Sequence, residues 1–442
     1  MNRLFYSKIV IFLGLTLTIA FQAAGQGGGA DYLLSAEAGQ SLIDKTLALG
    51  EWDAELGMKF RYEDPDEGED GSAGWGFLEF DWESGSMHGL QLGIGGVAIL
   101  EAWDEGGFEG NIFDEDDDFQ DHAVWTDIYL KYAIPNTKSE ILAGRTKFKK
   151  PASGDGDVHQ GVQLTIKDIP RMTIYASAVN EWMDDASTSW DLDGIQDDWV
   201  EMEDVNSGDD GMAEAGSFAY TLMAKVEALP DVMTLTPYVQ YHEDVATSLG
   251  IEIAAEVPLN DTVTLGFDGI YAKHFEDTPD DLYPDDEDVS QYLLHTYGKI
   301  KNFKLGVGYY HISDGITLFN GAGDPGDDFE SVYIMDEFDP IMSKGNDLAK
   351  YGEAPNNDTF FVDASYSWKF LELEAIYGWV DNAWVKSTGE AKGEATELNV
   401  ILNIAISKNL EAEIGYVRVD DNYSDDGDDS TNIVAGGIAY NF

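Results

Sequence analysis

The chain has 442 residues, with 85 Asp and Glu against 25 Lys and Arg, and a formal net charge of −60 at pH 7. This balance excludes a basic nucleic-acid-binding face over a whole domain, and the absence of cysteine excludes disulfide scaffolds and cysteine-ligated metal sites. Aromatic residues make up 12% of the chain, which argues against a disordered acidic protein. A hydrophobic content of 43% fits a soluble protein or a transmembrane β-barrel, because only alternate residues of a barrel strand face lipid.

The N-terminus has the layout of a secretory signal peptide. Arg3 and Lys8 precede an uncharged apolar run from residue 9 to residue 21, and small residues follow it. The run is too short to span a bilayer comfortably. We therefore expect three parts: a signal peptide over 1–25, a periplasmic lead segment over 26–50 and a barrel over 51–442.

Residues 51 to 63 alternate between apolar and polar side chains. Leu56 and Phe60 belong to one row, and Asp53 and Lys59 belong to the other. A period of two predicts a strand, because a helix would mix the two classes on every face. The alternation recurs to the end of the chain and predicts about eighteen strands of roughly ten residues, the length that a tilted membrane strand needs.

The connections between the predicted strands alternate between short and long. Residues 135–138 and 301–302 are typical of the short ones, whereas 103–121, 181–216, 313–358, 382–394 and 420–430 are among the long ones. An outer-membrane barrel places tight turns in the periplasm and long loops outside the cell. The pattern therefore predicts an all-β fold: a single transmembrane antiparallel β-barrel in the bacterial outer membrane, with short periplasmic turns and long acidic extracellular loops.

Four of the predicted loops carry 36 acids in 80 residues without one Lys or Arg. The simplest interpretation is a solvated surface that repels itself. The alternative is that the carboxylates bind Ca²⁺ or Mg²⁺, which prefer oxygen ligands, and so link the loops to each other or to lipopolysaccharide. The candidate metal ligands are Asp114, Asp116, Asp118, Asp285, Asp286 and Asp288. We expect no other cofactor.

The polar row of each strand is predicted to face the pore. Acids outnumber bases in these rows, and opposed acids and bases across a constriction would select ions and solutes. The alternative is ordinary lumen lining, since interior positions must be polar in any case. The candidate constriction residues are Arg145, Lys147, Lys149, Lys150, Lys59, Arg61, Lys131, Asp127 and Glu79.

The fifth predicted strand contributes four of these candidates. Five of the 25 bases of the chain fall between Lys138 and Lys150. Bases that faced lipid near the midplane would each cost about 2–4 kcal/mol, so that we expect Arg145 and Lys147 to face water. The predicted lipid row is then Leu142, Gly144, Thr146 and Phe148. The apolar residues Ile141 and Ala143 argue for the opposite orientation.

Two stretches resemble the OprD-like family of outer-membrane porins. Residues 41–50 running into 55–62 resemble the first segment of that family. Residues 144–151 followed by 161–170 resemble its fifth strand, constriction loop and sixth strand, although residues 152–159 are shorter and more acidic than the loop of the family. The resemblance implies an eighteen-stranded barrel that conducts specific small solutes.

Together these features predict a passive channel for small hydrophilic solutes or ions that prefers cations. The alternative is a cell-surface protein whose acidic loops bind cations or a partner and whose lumen is plugged, for instance by residues 313–358. The chain has no His-x-x-x-His pair and no Gly-x-Ser-x-Gly elbow, so we expect no enzyme. The expected partners are outer-membrane lipid and lipopolysaccharide, the solutes, and the barrel assembly machinery, whose signal the C-terminal Phe442 resembles; a homo-oligomer stays open.

Overall fold

The computed structural model describes residues 50–65, 71–105, 122–149, 151, 158–183, 200–201, 219–242, 246–276, 289–312, 357–386, 389–424 and 427–442. These residues contain the strands β1 Glu51–Pro65, β2 Gly71–Glu83, β3 Leu90–Glu105, β4 His122–Ala133, β5 Glu140–Thr146, β6 Val158–Ile166, β7 Met172–Met183, β8 Val200–Glu201, β9 Ala219–Leu229 and β10 Met233–His242. They continue with β11 Ala246–Asn260, β12 Val263–Glu276, β13 Val289–Ile300, β14 Phe303–Ile312, β15 Asn357–Trp368, β16 Leu371–Lys386, β17 Gly389–Ala405, β18 Leu410–Ser424 and β19 Gly427–Asn441. Within the described ranges no helix is long and apolar enough to cross a membrane.

Eighteen of these strands close into one antiparallel barrel. Each strand of the ring pairs with its neighbours along the chain, and β1 closes the ring on β19 from Glu55–Asn441 to Pro65–Thr431. The two-residue strand β8 pairs with the end of β7, while β9 pairs with β7 directly. The predicted all-β fold and strand number are therefore confirmed.

The outer face of the barrel is apolar. Large apolar side chains in the outward rows are between 37% and 57% exposed, and they include Met58, Phe60, Leu222, Leu265, Leu305, Val307, Phe360, Leu373 and Ile414. A continuous apolar band around a closed barrel is stable only when hydrocarbon surrounds it. Exposed apolar positions therefore mark the lipid-facing row of each strand, and the alternate positions face the lumen.

One end of the barrel carries the tight turns. Six of their residues adopt a left-handed conformation with φ between 54° and 63°: His88, Asn136, Arg171, Asp231, Lys301 and Lys369. At the other end, two of the predicted long loops are wrong, because β16 to β19 extend well past the apolar band. Lys386 pairs with Gly389, and Ser424 pairs with Gly427, so that the predicted loops 382–394 and 420–430 shrink to residues 387–388 and 425–426. Ladder hydrogen bonds satisfy the backbone in these extensions, which is why their polar sequences remain in strands.

The position of the tight turns at one end of the barrel predicts its orientation in the membrane. A protease site inserted after Asn409, in the tight turn between β17 and β18, should be protected in intact cells. A site inserted at Asp204, in the long connection outside the described residues, should be cut. Both sites should be cut in lysed cells, which controls for the accessibility of the insertion itself. Cleavage of the Asn409 insertion alone in intact cells would contradict the orientation.

Candidate pore-lining site

Inward side chains on alternate strands meet across inward-facing glycines. His295 on β13 and Asp363 on β15 are separated by β14, yet the distance from His295 Nε2 to Asp363 Oδ2 is 2.7 Å. The contact passes over Gly306 of β14, where an added Cβ would lie 2.4 Å from that nitrogen and 2.1 Å from that oxygen. Lys304 Nζ lies 3.4 Å from the other carboxylate oxygen of Asp363. Glycine at position 306 is therefore what allows the two strands to share a charged contact.

His295 also faces a second carboxylate. Its Nδ1 lies 3.6 Å from Asp268 Oδ2 on β12, and its side chain is 1% exposed. The rings of Tyr297 and Phe361 pack beside the imidazole with centroid distances of 5.2 and 5.6 Å. The imidazole is thus enclosed in the lumen wall, with an acid next to each ring nitrogen.

Near the periplasmic end, Glu83 of β2 is bound by two side chains of β4. Tyr129 donates its hydroxyl hydrogen to Glu83 over 3.0 Å, and the Nζ of Lys131 lies 2.6 Å from the same carboxylate. The tyrosine ring covers Gly93 of β3, where a Cβ would lie 2.1 Å from the ring. The structure therefore places the predicted constriction residue Lys131 in an ion pair close to the tight turns.

An equivalent arrangement lies on a distant part of the wall. Tyr297 of β13 donates to Glu256 of β11 over 2.8 Å, and Lys299 pairs with the same carboxylate. The ring of Tyr297 covers Gly266 of β12, as Tyr129 covers its glycine. In both places the charge of a lysine is balanced by a glutamate two strands away, so neither lysine adds net positive charge to the lumen.

Asp81 of β2 and Asp127 of β4 converge above Gly95 of β3. An added Cβ at Gly95 would lie 2.0 Å from Asp81 Oδ1 and 3.2 Å from Asp127 Oδ2, so the two oxygens are no further apart than the sum of these distances. Asp127 repels the charge of Asp81, and Lys147 attracts it. The structure thus brings two of the predicted residues, Asp127 and Lys147, to one part of the wall.

A cavity of about 520 Å³ opens beside this pair. Its lining includes the carboxylates of Glu55, Glu79, Glu372, Glu411 and Glu413. Lys59 and Lys369 are the ammonium groups in the lining, and the Nζ of Lys59 lies 5.5 Å from the ring centroid of Phe77. Two more of the predicted residues, Glu79 and Lys59, therefore line a space in which acids prevail.

The predicted lipid row of β5 is wrong. Leu142 pairs with inward-facing Lys131 on one side and with Gln163, which is 5% exposed, on the other. Thr146 and Phe148, which were expected to contact lipid, are 8% and 6% exposed. The row of β5 that was predicted to face lipid is therefore its lumen row.

Arg145 consequently belongs to the outward row. It is in register with Ile128, which is 46% exposed, and its Nε donates to Gln160 Oε1 over 2.7 Å. The prediction of an inward Arg145 is contradicted by this register. The hydrogen bond supplies a polar partner at a position where an unpaired base would be costly in lipid.

The chain turns inward directly after Thr146. The side chain of Gln163 on β6 accepts a hydrogen bond from the backbone N–H of Lys149 over 3.3 Å and donates one to its carbonyl oxygen over 2.8 Å. The ring of Phe148 stacks on His159 with a centroid distance of 6.3 Å. Residues 147–149 therefore leave the barrel wall and pack on the inward face of β6, as the first part of a constriction loop would.

Apolar side chains form a belt on the extracellular side of the inward charges. Trp75 and Phe77 precede Glu79 on β2, and Leu293 precedes His295 on β13 in the same direction. The residues Trp75, Phe77, Leu293, Phe361 and Val417 are at most 3% exposed. Inward polar residues beside them, such as Gln291, Thr359 and Asn399, are at most 1% exposed, so apolar and polar side chains pack against each other in this part of the lumen wall.

Some candidates fall where the structure gives no description. The loop residues proposed for Ca²⁺ or Mg²⁺, which are Asp114, Asp116, Asp118, Asp285, Asp286 and Asp288, lie outside the described residues, as does Lys150. The side chain of Arg61 is also outside them. Among the residues that are described, no group of three or more His, Asp or Glu side chains could hold a metal ion.

Comparison with known proteins yields matches in structure but none in sequence. No family model and no curated protein matches the chain. The structure of OccAB3 from Acinetobacter baumannii matches with a TM-score of 0.68 and 14% identity, over 89% of this chain and 99% of that chain. OccK8 (OprE) and OpdQ from Pseudomonas aeruginosa match with TM-scores of 0.67 and 0.66, each at 14% identity over 89% of this chain and 98% of theirs.

The chain has the fold of the OprD/Occ outer-membrane porins. The resemblance that the sequence suggested is thereby confirmed at the level of the fold. These porins are channels and not enzymes. At 14% identity the likeness concerns the fold alone.

Proposed function

We propose that the protein is a diffusion channel of the outer membrane for small hydrophilic solutes, and that it prefers cations. The observation that carries this proposal is the excess of carboxylates on the lumen face of a closed lipid-facing barrel. The cavity beside β1 and β19 has five glutamates against two lysines in its lining. The carboxylates of Asp81 and Asp127 add two further acids on the adjoining wall.

Three of the basic residues do not offset this excess. Lys131 and Lys299 each pair with a glutamate, and Arg145 is on the outward face. Fixed negative charge on a lumen wall raises the local concentration of cations and lowers that of anions. At physiological ionic strength the effect extends over about 8 Å, so that it acts most strongly where the channel is narrow.

The apolar belt favours a second candidate function. Its members, Trp75 and Leu293 among them, are buried although they face inward. A lumen that is closed at the level of the belt would make the barrel a surface protein whose acidic loops bind cations or a partner. This candidate differs from the first in one measurable property, since a closed lumen carries no current.

Recording of purified protein in planar lipid bilayers distinguishes the two functions. Stable current steps that are linear in voltage are expected from the channel. Folded protein can be verified independently by its heat-modifiable mobility in gel electrophoresis. Silent bilayers with folded protein would support the closed surface barrel and contradict the channel.

We also propose which lipids, ions and assembly proteins contact the barrel. Outer-membrane lipid, including lipopolysaccharide, would contact the outward rows, and divalent cations would bridge the acidic loops to its phosphates. The terminal strand would be read by the barrel assembly machinery. In that strand the ring of Phe442 lies 4.9 Å from the ring of Tyr440, and the two side chains are 45% and 41% exposed. Both aromatic side chains are thus accessible on the outer surface.

A further inference from the structure

His295 occupies an unusual position for a titratable group. Its two ring nitrogens face Asp363 and Asp268, which come from two different strands, and its own side chain is 1% exposed. We infer that His295 is a specificity-determining residue of the channel: as an imidazolium it compensates carboxylate charge on this wall, and as a neutral imidazole it leaves that charge free to attract cations. The inference rests on the proposed cation-preferring channel.

The positions of Asp363 and Asp268 are compatible with both the neutral and the protonated imidazole of His295. A neutral imidazole has one N–H group and donates to one acceptor, whereas an imidazolium donates on both sides. The 2.7 Å contact with Asp363 is a hydrogen bond in either state. The 3.6 Å separation from Asp268 is within the range of an ion pair with the charged ring. Protonation therefore adds a favourable interaction without requiring a rearrangement of the wall.

The charged and titratable groups around His295 come from every neighbouring strand. They are Glu256 on β11, Asp268 on β12, Tyr297 and Lys299 on β13 itself, Lys304 on β14, Asp363 on β15 and Glu374 on β16. Four of these are acids and two are ammonium groups. With a neutral imidazole the wall has two uncompensated acids, and with an imidazolium it has one. The protonation of a single side chain thus changes the net charge of this wall by half.

The charge of His295 can act on the lumen although the ring is enclosed. The side chains of Asp268 and Asp363 are 31% and 15% exposed, so the network as a whole reaches water. These carboxylates also offer a path by which protons exchange with the solvent. Unperturbed histidine titrates near pH 6.5, so the change is accessible to ordinary buffers.

The experiment measures the reversal potential in a KCl gradient between pH 5 and pH 9. The cation-to-anion permeability ratio of the natural protein should rise with pH by about two-fold, the effect of one unit charge about 8 Å from the ion path in a water-like dielectric. His295→Gln should lack this rise and should equal the natural protein at high pH. His311→Gln is the matched control, because His311 also pairs with an aspartate, Asp358 at 2.8 Å, but lies in an outward row.

Two further results test the role of His295 and the channel function separately. If His295→Gln keeps the pH dependence of the natural protein, the inference is overturned while the channel function stands. If the natural protein conducts without any cation preference, the proposed function itself fails. Should His295→Gln not fold, Asp363→Asn tests the same point, because the loss of one carboxylate destabilises the imidazolium and should move the midpoint of the rise to lower pH. An unchanged midpoint in folded Asp363→Asn would also overturn the inference.

Discussion

Replacing Asp81 and Asp127 together by Asn is expected to lower the cation-to-anion permeability ratio about four-fold. Each carboxylate lost removes one unit charge from the lumen wall, and a unit charge about 8 Å from the ion path changes this ratio about two-fold when salt screening is included. The two carboxylates lie over Gly95, and Glu79 and Lys147 act on the same site with opposite signs. The reversal potential in a KCl gradient measures this change.

The matched control for this variant removes the same charge elsewhere. Asp231 and Asp261 are exposed residues of the tight turns, and Asp231→Asn with Asp261→Asn leaves the lumen wall intact. We expect this double variant to keep the selectivity of the natural protein. An equal loss of selectivity in both double variants would show that total charge, and not the Asp81 and Asp127 pair, sets the preference.

Gly144→Ala is expected to prevent assembly of the barrel. Gly144 has φ 128°, where a side chain is strained by about 1–3 kcal/mol. An added Cβ would also lie 2.3 Å from the carbonyl oxygen of Ile128 and 2.8 Å from the Cα of Tyr129. Both are backbone atoms of the paired strand β4, so the clash cannot be relieved by a rotamer change. The folded fraction after refolding into lipid vesicles, read as heat-modifiable gel mobility, should fall to a small part of that of the natural protein.

Gly298→Ala is the control for this effect. The glycine is also within a barrel strand, but the nearest atom to an added Cβ is Leu265 Cδ2 at 3.8 Å, an ordinary contact. This variant should fold as the natural protein does. If Gly144→Ala folded equally well, the sharp bend of β5 at this position would not be needed for the barrel.

Much of the fold could be predicted from the sequence because a period of two fixes both the strand and its two faces. On β1, for example, every apolar residue from Trp52 to Tyr62 alternates with a polar one, so only one orientation is possible. On β5 the consecutive residues Ile141, Leu142 and Ala143 are all apolar, and the period gives no orientation there. The cost of placing a base in lipid then suggested the wrong face, because the hydrogen bond between Arg145 and Gln160 was not foreseeable.

The contacts that build the lumen wall were harder to predict. His295 and Asp363 are 68 residues apart and lie on strands that are not neighbours, so sequence spacing carries no sign of their contact. One feature of the sequence does mark these contacts, namely glycine in the polar row of a strand. Gly93, Gly95, Gly266 and Gly306 all interrupt the polar row of a strand, and each marks a place where a side chain from an adjacent strand crosses over.

The sequence also gave no sign of the apolar belt. Alternation assigns positions such as Leu293 and Val417 to the lumen, but it does not indicate that their side chains will be buried there. Burial depends on how the barrel closes around them. The width of the channel is therefore a property that only the folded structure reveals.

The reversal potential of the natural protein in a planar bilayer, with a tenfold KCl gradient at pH 8, tests the central claim most directly. The carboxylates of the lumen wall predict stable current steps and a reversal potential of the sign that marks cation preference. A potential of the opposite sign, or an absence of current from folded protein, would contradict the account.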